Sequence, residues 1–224
     1  MSVITISREF GSGGSAIAQK VAQALGYHFV DRDTIGGILT QYGLPEFKAE
    51  YDAAPPTFWA RFDTQRMERR EVMVSLLNQT LLALAHHGHM VILGRCGFAV
   101  LRGYADVLNV RLQAPVSARI SRVMETQHLA DPAQAEAAVK EGDKIRAAFV
   151  ETFYGARWDD AGAFDVVIDT DKVPAELAAA WLVDGAKALQ PSQGGVQTTR
   201  AIRADSTLSA AVSYELNCEA RHAD

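Results

Sequence analysis

The sequence predicts a three-layer α/β/α fold around a five-stranded parallel sheet, and three features carry that prediction. Short, strongly apolar runs recur along the chain: 3–6 (VITI), 27–30 (YHFV), 90–93 (MVIL), 107–112 (VLNVRL) and 166–168 (VVI). Runs of that kind suit strands buried on both faces. They alternate with segments of helical periodicity, which implies crossover connections and parallel pairing. A polar, glycine-rich turn, 7–15 (SREFGSGGS), separates the first run from the first helix. Strand, turn, helix and strand then form a βαβ unit.

The first helix spans 16–25, with Ile17, Val21, Ala24 and Leu25 on one stripe and Gly26 as its stop. The second strand ends at Asp31, and 32–42 reads as a helix. Residues 43–58 hold Pro45, Pro55 and Pro56 and read as irregular. A long amphipathic helix covers 64–87 through Met67, Val72, Leu76, Leu77, Leu81 and Leu84. The third strand breaks at Gly94. After the fourth, Pro115 starts a helix containing Ile120, Val123 and Met124, and 133–153 forms another. The fifth strand ends in Asp169, and Pro174 opens a final helix over 175–189. From Gln190 the composition turns linker-like (QPSQGGVQTT), and 201–224 has only a weak apolar pattern, so 190–224 is expected to be a linker and weakly ordered tail.

Composition narrows the function. The chain has 224 residues, with 22 Lys+Arg against 27 Asp+Glu and a net charge of -5. That balance disfavours a nucleic-acid partner, which requires a basic surface, but allows local basic clusters for a small phosphorylated ligand. Cys96 and Cys218 make no disulfide framework. The start, MSVITISREFGSGG, lacks the pattern of a signal peptide, and no apolar run reaches the ~20 residues of a bilayer span. A soluble, cytoplasmic protein is the expectation.

The turn at 7–15 carries the chemistry. Backbone N–H groups at a helix N-terminus, with the helix dipole, favour an anion, and glycines let the backbone close around it. In the frame of the phosphate-binding pattern GxxxxGK[ST], Gly13 and Ser15 are in place, Arg8 stands at the first glycine and Gly14 at the lysine. Arg8 could supply the missing cation from another direction, and Ser15 keeps the hydroxyl position that ligates Mg²⁺. Residues 11–16 (GSGGSA) also fit the GxGxxA dinucleotide fingerprint, with Asp31 or Asp33 as the distal acid, although four residues intervene after the strand. A plain structural turn is the third reading.

Taken together, VITISREFGSGGSAIAQKVAQALGYHFVDRD, VILGRCGFAVLR, VLNVRLQAPVSARISRV, GDKIRAAFVETFYGARWDD and FDVVIDTD resemble the cytidylate kinase-like family, a branch of the P-loop nucleoside monophosphate kinases. The resemblance covers residues 1–189 and implies a P-loop domain with a helical lid. It also implies ATP and Mg²⁺ as cofactors, nucleotide substrates, and phosphoryl transfer from ATP to CMP, dCMP or a related small acceptor. Gly11, Ser12, Gly13, Gly14 and Ser15 would hold the donor phosphates, with Ser15 on the metal. Arg8, Arg95, Lys144 and Arg146 would spread the charge of the transferred group. Gly94-Arg95 resembles the family's Gly-Arg-Asp element, Arg119 and Arg122 its basic positions before the lid, and Asp143, Lys144 and Arg146 its charged lid motif. Leu93 and Cys96 replace two carboxylates of the family pattern, and Gly14 its lysine. A nucleotide-binding regulatory module without turnover is therefore the alternative.

Other candidates have plainer readings. Arg119 and Arg122 also suit a solvated helix face. Arg61, Arg66, Arg69 and Arg70 could grip an acceptor phosphate, but their spacing equally suits an exposed face. His86, His87 and His89 read as a helix C-terminal cap rather than a metal site. Trp158 reads as packing, and Cys96 as a small loop residue with no base beside it.

Overall fold

The computed structural model describes residues 2–43, 64–189 and 197–217, and it places five parallel strands in the order β2-β3-β1-β4-β5. The strands are β1 (Val3–Arg8), β2 (His28–Val30), β3 (Met90–Leu93), β4 (Val107–Gln113) and β5 (Val166–Asp169). β1 is central: Val3 pairs with Met90 of β3 on one side and with Val107 of β4 on the other. The predicted architecture holds. The irregular stretch 43–58 lies, beyond Gly43, outside the described residues.

The helices are α1 (Gly14–Leu25), α2 (Arg32–Gln41), α3 (Thr64–His87), α4 (Gly97–Val100), α5 (Val116–Gln127), α6 (Pro132–Tyr154), α7 (Ala175–Ala188) and α8 (Ser206–Glu215). Strand alternation sorts the core into two layers. Ile4 and Ile6 pack with Ile17 and Val21 of α1 and Ala178 and Leu182 of α7. Val3 and Ile92 pack the opposite way, onto Ile38 of α2 and Leu77, Leu81 and Leu84 of α3. Local chemistry sets the ends: Asp31 caps α2 by accepting the N–H groups of Asp33 (2.9 Å) and Thr34 (3.1 Å), and left-handed Gly26 closes α1.

Two expectations need correction. β1 runs two residues further than the apolar pattern suggests, because Ser7 and Arg8 still pair with Arg111 and Leu112. The turn is thus Glu9–Gly13 in extent, and Arg8 is the last residue of the strand. The second correction is in the tail, where residues 197–217 pack closely. Leu208 and Val212 of α8 are buried against α2 and α3, with Ile202 and Leu216 beside them. The Asp106 carboxylate accepts both the N–H (2.8 Å) and the hydroxyl (2.6 Å) of Thr199, fixing the segment to the start of β4. Gln190 to Val196 and the residues after Asn217 lie outside the described residues.

Candidate functional site

Parallel pairing puts the C-terminal ends of β1, β3 and β4 at one edge of the sheet, where open α/β folds bind ligands. The turn after β1 takes its shape from Gly11 (φ 80°) and Gly13 (φ 77°), both left-handed. Gly11 is also forced by packing, since a β-carbon there would meet the Arg119 carbonyl oxygen at 2.8 Å. Ser12 is buried; its hydroxyl donates to the Glu9 carbonyl (2.9 Å), and its own carbonyl accepts from Thr170 Oγ1 (2.8 Å). The Ser12 side chain therefore secures the turn rather than facing a ligand. Gly13 caps α1 with no side-chain bond, no acid occupies the first turn, and Gly13 and Ser15 are exposed. An open helix N-terminus beside two left-handed glycines makes an anion cradle.

Beneath the turn lies a charged network in which Glu9 and Arg111 join Arg119 and Asp143. Glu9 accepts from Arg111 Nη2 (3.2 Å) and the Ala114 N–H (3.1 Å), and it lies 3.4 Å from Arg119 Nε. Arg111 is buried in β4 and stacks 4.7 Å above the Trp158 ring. Burial pulls its pKa down, while Glu9 pulls it back up. A charge inside the apolar run VLNVRL was the available signal for it. Arg119 is buried too, donating to the Ala114 (3.0 Å) and Phe10 (3.2 Å) carbonyls and pairing with Asp143. Arg122 donates twice to Thr170 (3.0 and 2.8 Å). Neither arginine is on a solvated face, and both hold the turn in place.

On the other side of Arg8 a cavity of about 470 Å³ opens between the ends of β1 and β3, α3 and α6. Five arginines line it: Arg8, Arg32, Arg70, Arg95 and Arg146. Its apolar walls include Phe98, Phe149, Phe153 and Trp158. Trp158 donates its indole N–H to Ser7 Oγ (3.1 Å), so it packs and lines the cavity at once. Arg95 is presented by an unusual turn, Gly94, Arg95 and Cys96 all being left-handed (φ 74°, 59° and 60°). Non-glycine residues in that region store strain of order ~1 kcal/mol or more each, typical of functional turns. Burial pushes the Cys96 thiol up to about 12, so it is no nucleophile.

The lid helix α6 is tied to the turn. Asp143 accepts the Phe10 N–H (2.8 Å) and pairs with Arg119, and Arg146 stacks 5.3 Å from the Phe10 ring. Gly142 makes the approach feasible, since a β-carbon there would meet the Phe10 ring at 2.9 Å. The structure thus brings Arg8, Arg95 and Arg146 to one cavity but leaves Lys144 exposed on α6, outside its lining. Of the four arginines ahead of β3, Arg70 lines the cavity; Arg61 and the side chains of Arg66 and Arg69 lie outside the described residues. Arg32, Phe10, Phe98, Phe149 and Phe153 were not singled out from sequence. His86 and His87 sit in the last turn of α3. Among the described residues no three His, Cys, Asp or Glu side chains cluster as metal ligands, and no helix is long and apolar enough to cross a membrane.

The donor set suits a polyphosphate better than a free metal. Main-chain amides and Arg8 match phosphate oxygens, while Ser15 offers one hydroxyl at the rim of the cradle. Mg²⁺ binds by one or two protein oxygens plus phosphates and water, so a nucleotide-borne Mg²⁺ fits with Ser15 as the protein ligand.

Solved structures share this architecture. A protein from Eubacterium ventriosum superposes with a TM-score of 0.62 at 20% identity, covering 84% of this chain and 99% of that one. A Thermus thermophilus protein gives a TM-score of 0.48 at 19% identity (84% and 98%). Shikimate kinase from Acinetobacter baumannii gives 0.46 at 16% identity (85% and 96%). No curated protein sequence matches the chain. With five parallel strands in this order and a glycine turn after the first, the chain has a three-layer α/β/α fold of the P-loop class. The model of the cytidylate kinase-like family matches residues 3–172, from the first residue of β1 to just past β5, and the chain is a member of that family.

Proposed function

We propose that the protein transfers the γ-phosphoryl group of ATP to a small phosphorylated acceptor. The observation that carries this reading is Arg8. It is the last residue of β1, its stem lies against Gly14 of the glycine turn, and its guanidinium lies against Gly94 at the acceptor cavity. One cation therefore stands between the two compartments, where charge builds up during transfer. Gly11, Gly13, Gly14 and Ser15 hold the donor through main-chain amides; the Ser15 hydroxyl would hold a nucleotide-borne Mg²⁺, which would offset the donor's charge. Arg95 and Arg146 bind and orient the acceptor. A phosphate oxygen of the acceptor forms the new bond to the γ-phosphorus as the bond to the β–γ bridging oxygen breaks. ADP leaves with that electron pair. Positioning and charge neutralisation do the catalysis, so no strong base is required.

The absence of lysine at Gly14 and of a carboxylate at Leu93 favours a second reading, binding without turnover. Both are tested by nucleotide calorimetry beside a radiolabelled-ATP transfer assay over a panel of monophosphates, CMP and dCMP included. Labelled product supports the kinase reading, whereas nucleotide binding with no product across the panel supports the regulatory one. Arg95→Ala should abolish acceptor binding while circular dichroism stays native; unchanged affinity would remove Arg95 from the site.

A further inference from the structure

We infer that Phe10 is a positioning residue that couples the two substrate sites, setting Arg146 at the acceptor cavity in response to a polyphosphate on the turn. The inference rests on the kinase reading and adds a link between its donor and acceptor sides. Phe10 stands in the turn itself, directly before Gly11. As the chain leaves β1, successive side chains part: Glu9 reaches the network beneath the turn, whereas Arg8 and Phe10 both line the cavity. One residue therefore belongs to the phosphate turn and to the cavity wall.

Its main chain is held from both sides. The Phe10 N–H donates to Asp143 Oδ1 (2.8 Å), and its carbonyl accepts from Arg119 Nη1 (3.2 Å). That carbonyl shares a planar peptide unit with the Gly11 N–H, so an anion drawing on this amide acts on the Phe10 backbone. The ring carries the effect across. It packs with the buried cluster of Val123, Ala135 and Val139, and close packing passes on small displacements. The absence of a side chain at Gly142 lets α6 come against the ring, and Arg146 Cζ lies 5.3 Å from its centroid, within cation–π range. On its own helix Arg146 donates to the Gly142 carbonyl (3.1 Å) and lies 3.6 Å from Asp143 Oδ1, the same oxygen that receives the Phe10 N–H. Arg146 is thus placed by contacts that meet at Phe10.

The test is spectroscopic and uses the isotope-labelled full chain titrated with a non-hydrolysable ATP analogue and Mg²⁺. The guanidinium Nε–H signal of Arg146 is identified by its loss in Arg146→Lys. In the wild type it should move in step with the Gly11 and Gly13 amides. Phe10→Leu keeps the main-chain bonds and the apolar bulk, so the turn amides should still saturate while the Arg146 response falls by about half or more. Phe10→Tyr should restore it. Gly142→Ala, whose β-carbon would meet the Phe10 ring at 2.9 Å, should lower the response in the same way and tests the contact should Phe10→Leu not fold. An Arg146 signal that stays put while the turn amides shift overturns the inference, as does an unchanged response in the folded variants. Turn amides that do not move would sink the donor site of the kinase reading and the coupling with it, a result told apart from the others by those amides alone.

Discussion

The stem of Arg8 fills the space that a side chain at Gly14 would need. A β-carbon on residue 14 would lie 2.8 Å from both Cβ and Cγ of Arg8, closer than carbon atoms approach without displacement. The lysine expected at this position and the arginine at the end of β1 thus exclude one another, and Gly14 is the condition for Arg8 to reach the site. Gly94 plays the same part at the other end, where a β-carbon would collide with the Arg8 guanidinium.

Restoring the usual lysine should therefore fail. Gly14→Lys and Gly14→Ala both displace Arg8, and each should weaken binding of a non-hydrolysable ATP analogue by about tenfold. Arg8→Ala should weaken ATP more than AMP. Calorimetry measures all three, and a gain in ATP affinity for Gly14→Lys would show that Arg8 does not act as the donor-side cation.

Asp143 joins the lid to the phosphate turn through Phe10 and Arg119. Its removal leaves the buried Arg119 with a longer contact to Glu9 (3.4 Å) and frees the Phe10 N–H. Because Asp143 keeps some solvent exposure, the loss for Asp143→Ala should be moderate, about 2 kcal/mol in urea unfolding. A loss below about 0.5 kcal/mol would reduce the contact to a surface pairing.

The tail helix contributes to the core. Leu208 is 1% exposed and packs with Leu39 and Leu77 in one cluster. Leu208→Ala should destabilise the protein by about 3 kcal/mol, as buried leucine truncations do. A change within about 0.5 kcal/mol would indicate that α8 is not seated in solution.

Cys96 gives a pH prediction. Burial raises its thiol from 9.0 to about 12, with the Arg95 charge and Tyr154 pulling the other way. The folded state therefore holds its proton where an unfolded chain has released it. This contribution is intact below about pH 9 and is lost as pH rises towards 12. In a Cys218→Ala background, iodoacetamide at pH 8 should label Cys96 far more slowly in the native than in the denatured protein, by mass spectrometry. Equal rates would show the turn to be open.

The strands and the helices between them were legible because apolar runs and helical stripes are local signals, whereas the order of the strands in the sheet appears only in the fold. The runs at Val3, Met90 and Val107 each became strands. The tail was harder. Leu208, Ala211, Val212 and Leu216 do follow an i, i+3, i+4, i+8 stripe, but Ser206, Ser209 and Ser213 dilute it. The site was legible only in part. Gly11, Gly13 and Ser15 announce a phosphate turn by spacing, whereas Arg32, Arg70 and Arg146 converge only after the chain folds. Arg119 and Arg122 alternate with Ile120 and Val123 as an exposed face would, and only their partners Asp143 and Thr170, distant in sequence, reveal them as supports of the turn, Arg119 buried and Arg122 half-buried.

The proposed function requires main-chain amides of the turn after β1 to cup a polyphosphate without a lysine. Amide chemical-shift mapping of the full chain during titration with a non-hydrolysable ATP analogue and Mg²⁺ tests it most directly. Saturable shifts are expected at Gly11, Gly13, Gly14 and Ser15, larger than those of α8. Resonances of that turn left in place at millimolar nucleotide would contradict it.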